Sequence, residues 1–169
     1  NSGKILVPKY RSLYIDNSLK DSTMLKVDRD SSFKDIIRGI HNVKDSDFRV
    51  PPSLKNILRN YQKTGYRWMK TMASYGFSGI LADDMGIGKT IQVITLLEDE
   101  KLQHKDSISL VVCPSSLILN WQSEIEKFSS NLTSLIVHGS SDDRKVLIQN
   151  CKDYDVIITS YDYLKRDVE

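Results

Sequence analysis

Gly79-Ile-Leu-Ala-Asp-Asp-Met-Gly-Ile-Gly-Lys-Thr-Ile91 runs an apolar segment into a loop with two glycines and then into a Lys-Thr helix start. That order suits a nucleoside triphosphate. Glycines let backbone N–H groups close on phosphate oxygens, and the first turn of the following helix adds the positive end of its dipole. Asp84, Met85, Gly86, Ile87 and Gly88 would form the loop, Lys89 would reach the β- and γ-phosphates, and the Thr90 hydroxyl would ligate Mg²⁺. The general spacing G-x-x-x-x-G-K-[ST] asks for glycine at position 83, where this chain has Asp83. The competing reading is an ordinary strand-to-helix turn with a surface lysine. Against it, Ser78 to Ala82 reads as the entering strand, and Ile91, Ile94 and Leu97 recur at helical spacing.

Working outward, 169 residues with 40% hydrophobic content can bury one good core and a small appendage, and leave no room for a second full domain. No apolar run approaches the ~18 residues of a membrane span, and Asn1-Ser-Gly-Lys4 lacks the apolar core of a signal peptide. The expectation is a soluble, intracellular protein. Cys113 and Cys151 are too far apart in sequence for a metal-ligand pair and read as buried free thiols. The net charge of +2 is too small to argue for nucleic acid, although residues 1–60 carry +5 and residues 61–169 carry −3.

Residues 1–50 differ from the rest. Arg11-Ser-Leu-Tyr-Ile15 looks β-like, and Ser32 to His41 looks helical, with Phe33, Ile36, Ile37 and Ile40 on one face. Val50-Pro51-Pro52 marks a boundary, because two prolines stop regular pairing and force an extended link. From there helix and strand alternate. A helix with Tyr61, Gly65, Trp68 and Met72 on one face leads to the glycine loop. Ile108 to Cys113 is an apolar strand, and Leu117, Trp121, Ile125 and Phe128 form a helical stripe with Asn120, Gln122, Glu124 and Lys127 outside. Leu132 to His138 and Asp155 to Thr159 read as strands, Asp142 to Gln149 and Tyr161 to Arg166 as helices. Short apolar strands between amphipathic helices predict an α/β fold with a parallel sheet covered on both faces. The register of Trp121 argues for core packing over base stacking, and His138 lacks a second metal ligand nearby.

The order of segments resembles the Swi/Snf-type ATPases, helicase-like DNA translocases of helicase superfamily two, of the bacterial type. Four stretches carry the likeness: Leu58-Arg-Asn-Tyr-Gln-Lys-Thr-Gly-Tyr-Arg-Trp-Met69, Leu81-Ala-Asp-Asp-Met-Gly-Ile-Gly-Lys-Thr90, Val111-Val-Cys-Pro-Ser-Ser-Leu-Ile-Leu-Asn-Trp-Gln-Ser-Glu-Ile-Glu-Lys-Phe128 and Asp155-Val-Ile-Ile-Thr-Ser-Tyr161. The family's habitual aspartate accounts for position 83. The resemblance implies a RecA-like three-layer lobe over residues 51–169, with residues 1–50 as an appendage similar to the end of the helicase-associated region found upstream of the motor. It implies ATP and Mg²⁺ as cofactors and duplex DNA as partner. Gln62 would read the adenine base and Arg59 would flank it, while Asn60 stands where many relatives have proline. Pro114 and Ser115 would face the DNA backbone, with Thr159 and Ser160 as a second position of that kind; helix capping is the competing role for these hydroxyls.

In this family an acidic box and a second lobe with an arginine finger follow the matched segments. The chain is therefore expected to be the ATP-binding part of a DNA-dependent ATPase that translocates on duplex DNA, inactive by itself. A nucleotide-binding scaffold or switch without hydrolysis is the alternative, and a small-molecule P-loop kinase a more distant one. A further expectation concerns the strand at Gly79 to Ala82, which would have open edges on both sides. It would pair with a second molecule or with the N-terminal segment, or else leave the loop distorted.

Overall fold

The computed structural model describes residues 6–20, 28–43 and 46–168. The chain divides into two compact units, Asn1–Arg49 with Arg67–Ile80, and Val50–Tyr66 with Leu81–Glu169.

In the first unit, α1 spans Ser12–Lys20 and α2 spans Ser31–His41. The β-like reading of Arg11 to Ile15 is thus corrected to a helix. Ser12 and Asp16, four residues apart, are the buried positions, so the repeat is helical, and five residues of alternation were too short to separate the two periods. Asp16 pairs with Arg29 at 2.9 Å. Helix α2 starts where predicted because the Asp30 carboxylate accepts the Phe33 N–H at 2.7 Å, and its apolar face buries Ile36. The Tyr75 hydroxyl donates to the Asp35 carbonyl at 3.2 Å, and Arg67 Nε donates to the Phe48 carbonyl at 3.3 Å.

Helix α3, Asn60–Ser74, contributes residues to both units. Its buried stripe is Gln62, Tyr66 and Lys70, together with Thr71 and Met72. The predicted face was offset by about one position: Tyr61 is exposed, and Gly65 and Trp68 are half-buried.

The second unit holds the α/β layers. After α4 (Lys89–Gln103), the chain forms β1 (Ser109–Cys113), α5 (Ile118–Phe128), β2 (Ser134–Ile136), α6 (Ser141–Gln149), β3 (Val156–Ser160) and α7 (Tyr161–Val168). The strands are parallel in the order β1-β3-β2, with Val111 opposite Ile158 and Ser134 opposite Val156. Alternation along each strand gives the sheet two apolar faces. Val111, Cys113, Val156 and Ile158 meet Ile94 of α4 and Ile118 and Ile125 of α5, with Trp121 and Phe128 packed at the margin. Ile94, Ile125 and Ile158 are fully buried, each contributing about 1.5–3 kcal/mol of transfer free energy. Helix α7 packs on β3 and β1, and Leu110 on the edge strand stays half-exposed. At the N-terminal end of the sheet, Asp155 accepts from the Thr133 N–H at 2.7 Å and its hydroxyl at 2.8 Å, and pairs with Lys101 at 2.7 Å. Cys113 is buried and Cys151 half-buried, both free thiols, and burial pushes both upward in pKa.

One expected strand does not form. Ser78 to Ala82 runs outside any sheet, since a strand exists through its ladder and β1, β3 and β2 pair only with one another among the described residues.

Candidate functional site

The glycine loop ends at the N-terminus of α4, with Gly88 as the residue before the helix and Lys89 as its first residue. Gly86 and Gly88 both take left-handed backbone, at φ 83° and 82°. At Gly88 the reason is also spatial: a Cβ there would lie 2.4 Å from Nε2 of Gln62. The loop from Ala82 to Gly86 is exposed, so its backbone faces solvent, and α4 brings its unpaired first N–H groups and positive dipole end to the same place.

Gln62 lies against this loop from α3. Its Nε2 donates to the Ile87 carbonyl at 3.0 Å, and its Oε1 accepts the Arg59 N–H at 2.9 Å. The Tyr61 hydroxyl donates to the same Ile87 carbonyl at 2.9 Å. Lys89 Nζ donates to the carbonyls of Asp83 at 2.8 Å and Asp84 at 2.7 Å. The ammonium thus closes back on its own loop and neutralises carbonyl dipoles that precede the glycines. Gln92, one turn into α4, is fully buried, and its Oε1 has no hydrogen-bond partner among the described residues.

Beside the loop is a pocket of about 370 Å³. Three segments wall it: Ile57 to Gln62, Gly86 to Ile91, and the end of α5 with Glu124, Lys127 and Phe128. The structure brings Arg59, Gln62, Gly86, Ile87 and Gly88 around this pocket, while Asp84, Met85, Lys89 and Thr90 do not line it. The α5 wall was missed. Glu124, Lys127 and Phe128 stand at i, i+3 and i+4, one face of a helix, but were divided between solvent and core. An alternating polar and aromatic face of that kind was the available signal.

The second group of candidate residues lies at the C-terminal end of the sheet. Pro114 and Ser115 follow β1 and are exposed, and the Pro114 carbonyl accepts the Leu117 N–H at 2.8 Å to start a short turn. Thr159 and Ser160 end β3 with their side chains buried. The Thr159 hydroxyl donates to the Val137 carbonyl at 3.1 Å, and Ser160 Oγ accepts the Tyr163 N–H at 3.2 Å, capping α7. Thr159 and Ser160 are almost wholly buried, so the exposed polar side chain among these four residues is Ser115. His138 is exposed, and no cluster of three metal-ligating side chains occurs among the described residues. No helix among them is long and apolar enough to cross a membrane.

Comparison with known proteins adds the following. Residues 61–169 match the family described as SNF2-related domain, and residues 1–51 match the one described as bacterial SNF2 helicase associated. An uncharacterized ATP-dependent helicase of Mycoplasma pneumoniae is 41% identical over 136 residues, 79% of this chain and 13% of the relative. Helicase SWR1 of Candida albicans is 35% identical over 93% of this chain and 10% of its own length. Among solved structures, the Sulfolobus solfataricus SWI2/SNF2 ATPase core in complex with dsDNA superposes with a TM-score of 0.57 at 42% identity, covering 63% of this chain and 22% of that one. The chain thus spans about a tenth of these curated relatives and about a fifth of the solved core.

Proposed function

The chain belongs to the SNF2-related family of helicase-like ATPases, and from that premise we propose that it forms the nucleotide-binding part of a DNA-dependent ATPase that moves along duplex DNA. Residues 1–50 are proposed as the helicase-associated appendage and residues 51–169 as part of the first RecA-like lobe. The bacterial cytoplasm, at the nucleoid, is the proposed location.

The observation that carries this reading is the pocket itself: a glycine loop at the N-terminus of α4, with Gln62 bonded to the loop's Ile87 carbonyl on one wall. The residues fit ATP with Mg²⁺. Backbone N–H groups of Gly86 to Lys89 would hold phosphate oxygens, Lys89 would exchange the Asp83 and Asp84 carbonyls for phosphate charge, and Thr90 would ligate the metal. Asp84 and Met85 lead into Gly86, and Ile87 stands between the two glycines, so all three would lie along the bound phosphates. Beyond its bonds to Ile87 and Arg59, the Gln62 amide retains a second N–H and a second oxygen lone pair to offer a base edge, and Arg59 with its planar guanidinium lines the same pocket. Bound ATP supplies the phosphoryl group whose transfer to water drives the motor.

For DNA, the edge after β1 and β3 is proposed to face phosphates through the exposed Pro114-Ser115 turn, with the buried Thr159 and Ser160 holding the end of β3 beside it. Such contacts position without reading sequence. The solved relative named as a complex with dsDNA supports duplex over single strands. The backbone of Gly79 to Ala82, without ladder partners among the described residues, supports a further proposal of self-association through this segment. Sedimentation of the chain over a range of concentrations tests it.

The central experiment is ATPase activity of the intact protein with and without duplex DNA. Stimulation by DNA supports the motor. Tight nucleotide binding without turnover supports the scaffold reading instead, and phosphorylation of a small molecule the kinase.

A further inference from the structure

Glu98 is fully buried in the middle of α4, and its carboxylate takes no part in the site described above. Three side chains donate to it: the hydroxyls of Ser53 and Ser129, and the Asn131 amide at 3.1 Å. All three donors are neutral. They arrive from different parts of the second unit, Ser53 from the turn before α3, Ser129 and Asn131 from the link between α5 and β2.

These segments are continuations of the pocket walls. Ser53 precedes Ile57 by four residues, and between them the backbone is fixed by the Leu54 N–H and Lys55 N–H, both donating to the Pro51 carbonyl at 3.0 Å. Glu98 stands on α4 with Ile91, roughly 13 Å along the axis from Lys89, the residue that follows Gly88. Ser129 follows Phe128 directly, and its N–H still donates to the Ile125 carbonyl at 2.9 Å, so it is bound to the end of α5. One carboxylate therefore ties together the three walls of the pocket at the end away from the phosphate loop.

Packing alone does not call for a polar group here. An apolar side chain of similar size would fill the position without burying polar atoms, so a buried carboxyl group held by directional bonds fixes geometry that close packing leaves loose. We propose that Glu98 is a positioning residue of the nucleotide site, setting the distance between the base-side wall, Ile57 to Gln62, and the α4 helix that carries the phosphate loop. This rests on the nucleotide-binding reading above. The reach of the effect is specific. Phosphates meet the loop and the first turn of α4, whose position does not depend on Ser53. The nucleoside meets the other two walls, whose spacing does.

The test is calorimetric titration of the intact protein with two probes, Mg·ATP and Mg·tripolyphosphate, the second lacking base and sugar. Glu98→Ala and, as the milder change that keeps the carboxylate, Ser53→Ala should raise the Kd for Mg·ATP about fivefold or more while leaving tripolyphosphate within about twofold. Glu98→Gln should bind Mg·ATP as the parent does, because its amide oxygen can accept from Ser53 and Asn131 and its NH₂ can donate to Ser129. Equal loss of both probes in Glu98→Ala and Ser53→Ala would mean a general structural role and overturn the proposal, as would unchanged Mg·ATP affinity in both, or a Glu98→Gln as weak as Glu98→Ala. Lys89→Ala in parallel separates the two readings. If it still binds both probes as the parent does, the fault lies with the phosphate loop assignment and not with Glu98.

Discussion

The side-chain amide of Gln62 donates to the carbonyl of Ile87 at 3.0 Å, joining α3 to the middle of the glycine loop. The contact is possible because Gly88 has no side chain, and it makes that glycine a point of failure for the site. Gly88→Ala adds a Cβ 2.4 Å from Gln62 Nε2 and forces a left-handed φ of 82° on alanine. The strain costs about 1–2 kcal/mol, and Gln62 must leave Ile87 as well. We expect a fall in unfolding free energy of that order and a loss of nucleotide affinity of about tenfold or more. Urea titration and nucleotide calorimetry check the two parts. A variant as stable and as tightly binding as the parent would show that the contact plays no part in the loop.

Lys89 is predicted to matter for chemistry more than for folding. Its ammonium is half-exposed and holds only two carbonyls of its own loop. In the intact protein Lys89→Ala should lower kcat by more than about tenfold, each tenfold corresponding to ~1.4 kcal/mol of transition-state stabilisation. The melting temperature should change little. Retention of over a tenth of the parent rate would contradict the assignment.

DNA binding by the intact protein should weaken steeply as salt rises and depend little on base sequence. Ser115, the exposed candidate contact, is suited to phosphates, and Thr159 and Ser160 are buried beside it. Competition between unrelated duplexes at fixed salt is the measurement. A strong preference for one of them runs against this reading.

Asp155 gives a pH prediction. Burial pushes its carboxyl up, but the Lys101 ammonium and the two Thr133 donors outweigh that and hold it below the ordinary carboxylate range. A carboxyl depressed in the folded state stabilises fully above its unfolded pKa of about 4 and loses that contribution as pH falls through the folded value. The difference in urea midpoint between the parent and Asp155→Asn should therefore be constant from neutral pH down to about 5 and shrink below about 4. A difference that grows on acidification would reverse the sign and remove Asp155 from the account.

The succession of helix and strand from α3 to α7 was legible in the sequence because each element carries its own period. Leu117, Trp121, Ile125 and Phe128 recur at helical spacing, and Ile108 to Cys113 is a short apolar run of strand length. The glycine loop was legible for the same reason, since left-handed backbone at Gly86 and Gly88 is a local demand that few residues meet. Long-range pairing was not. Whether Ser78 to Ala82 is a strand depends on a neighbouring ladder, and its apolar composition is the same with or without one. The α5 wall of the pocket and the Glu98 tie likewise come from residues 31 to 71 positions apart that only folding brings together. Sequence alone determined which segments could hold phosphate and which could form a parallel sheet, because those are properties of a few consecutive residues. Tertiary structure decided how wide the pocket is, which hydroxyls are already committed and what joins its walls, because hydrogen bonds such as Ser53 to Glu98 depend on where distant segments meet.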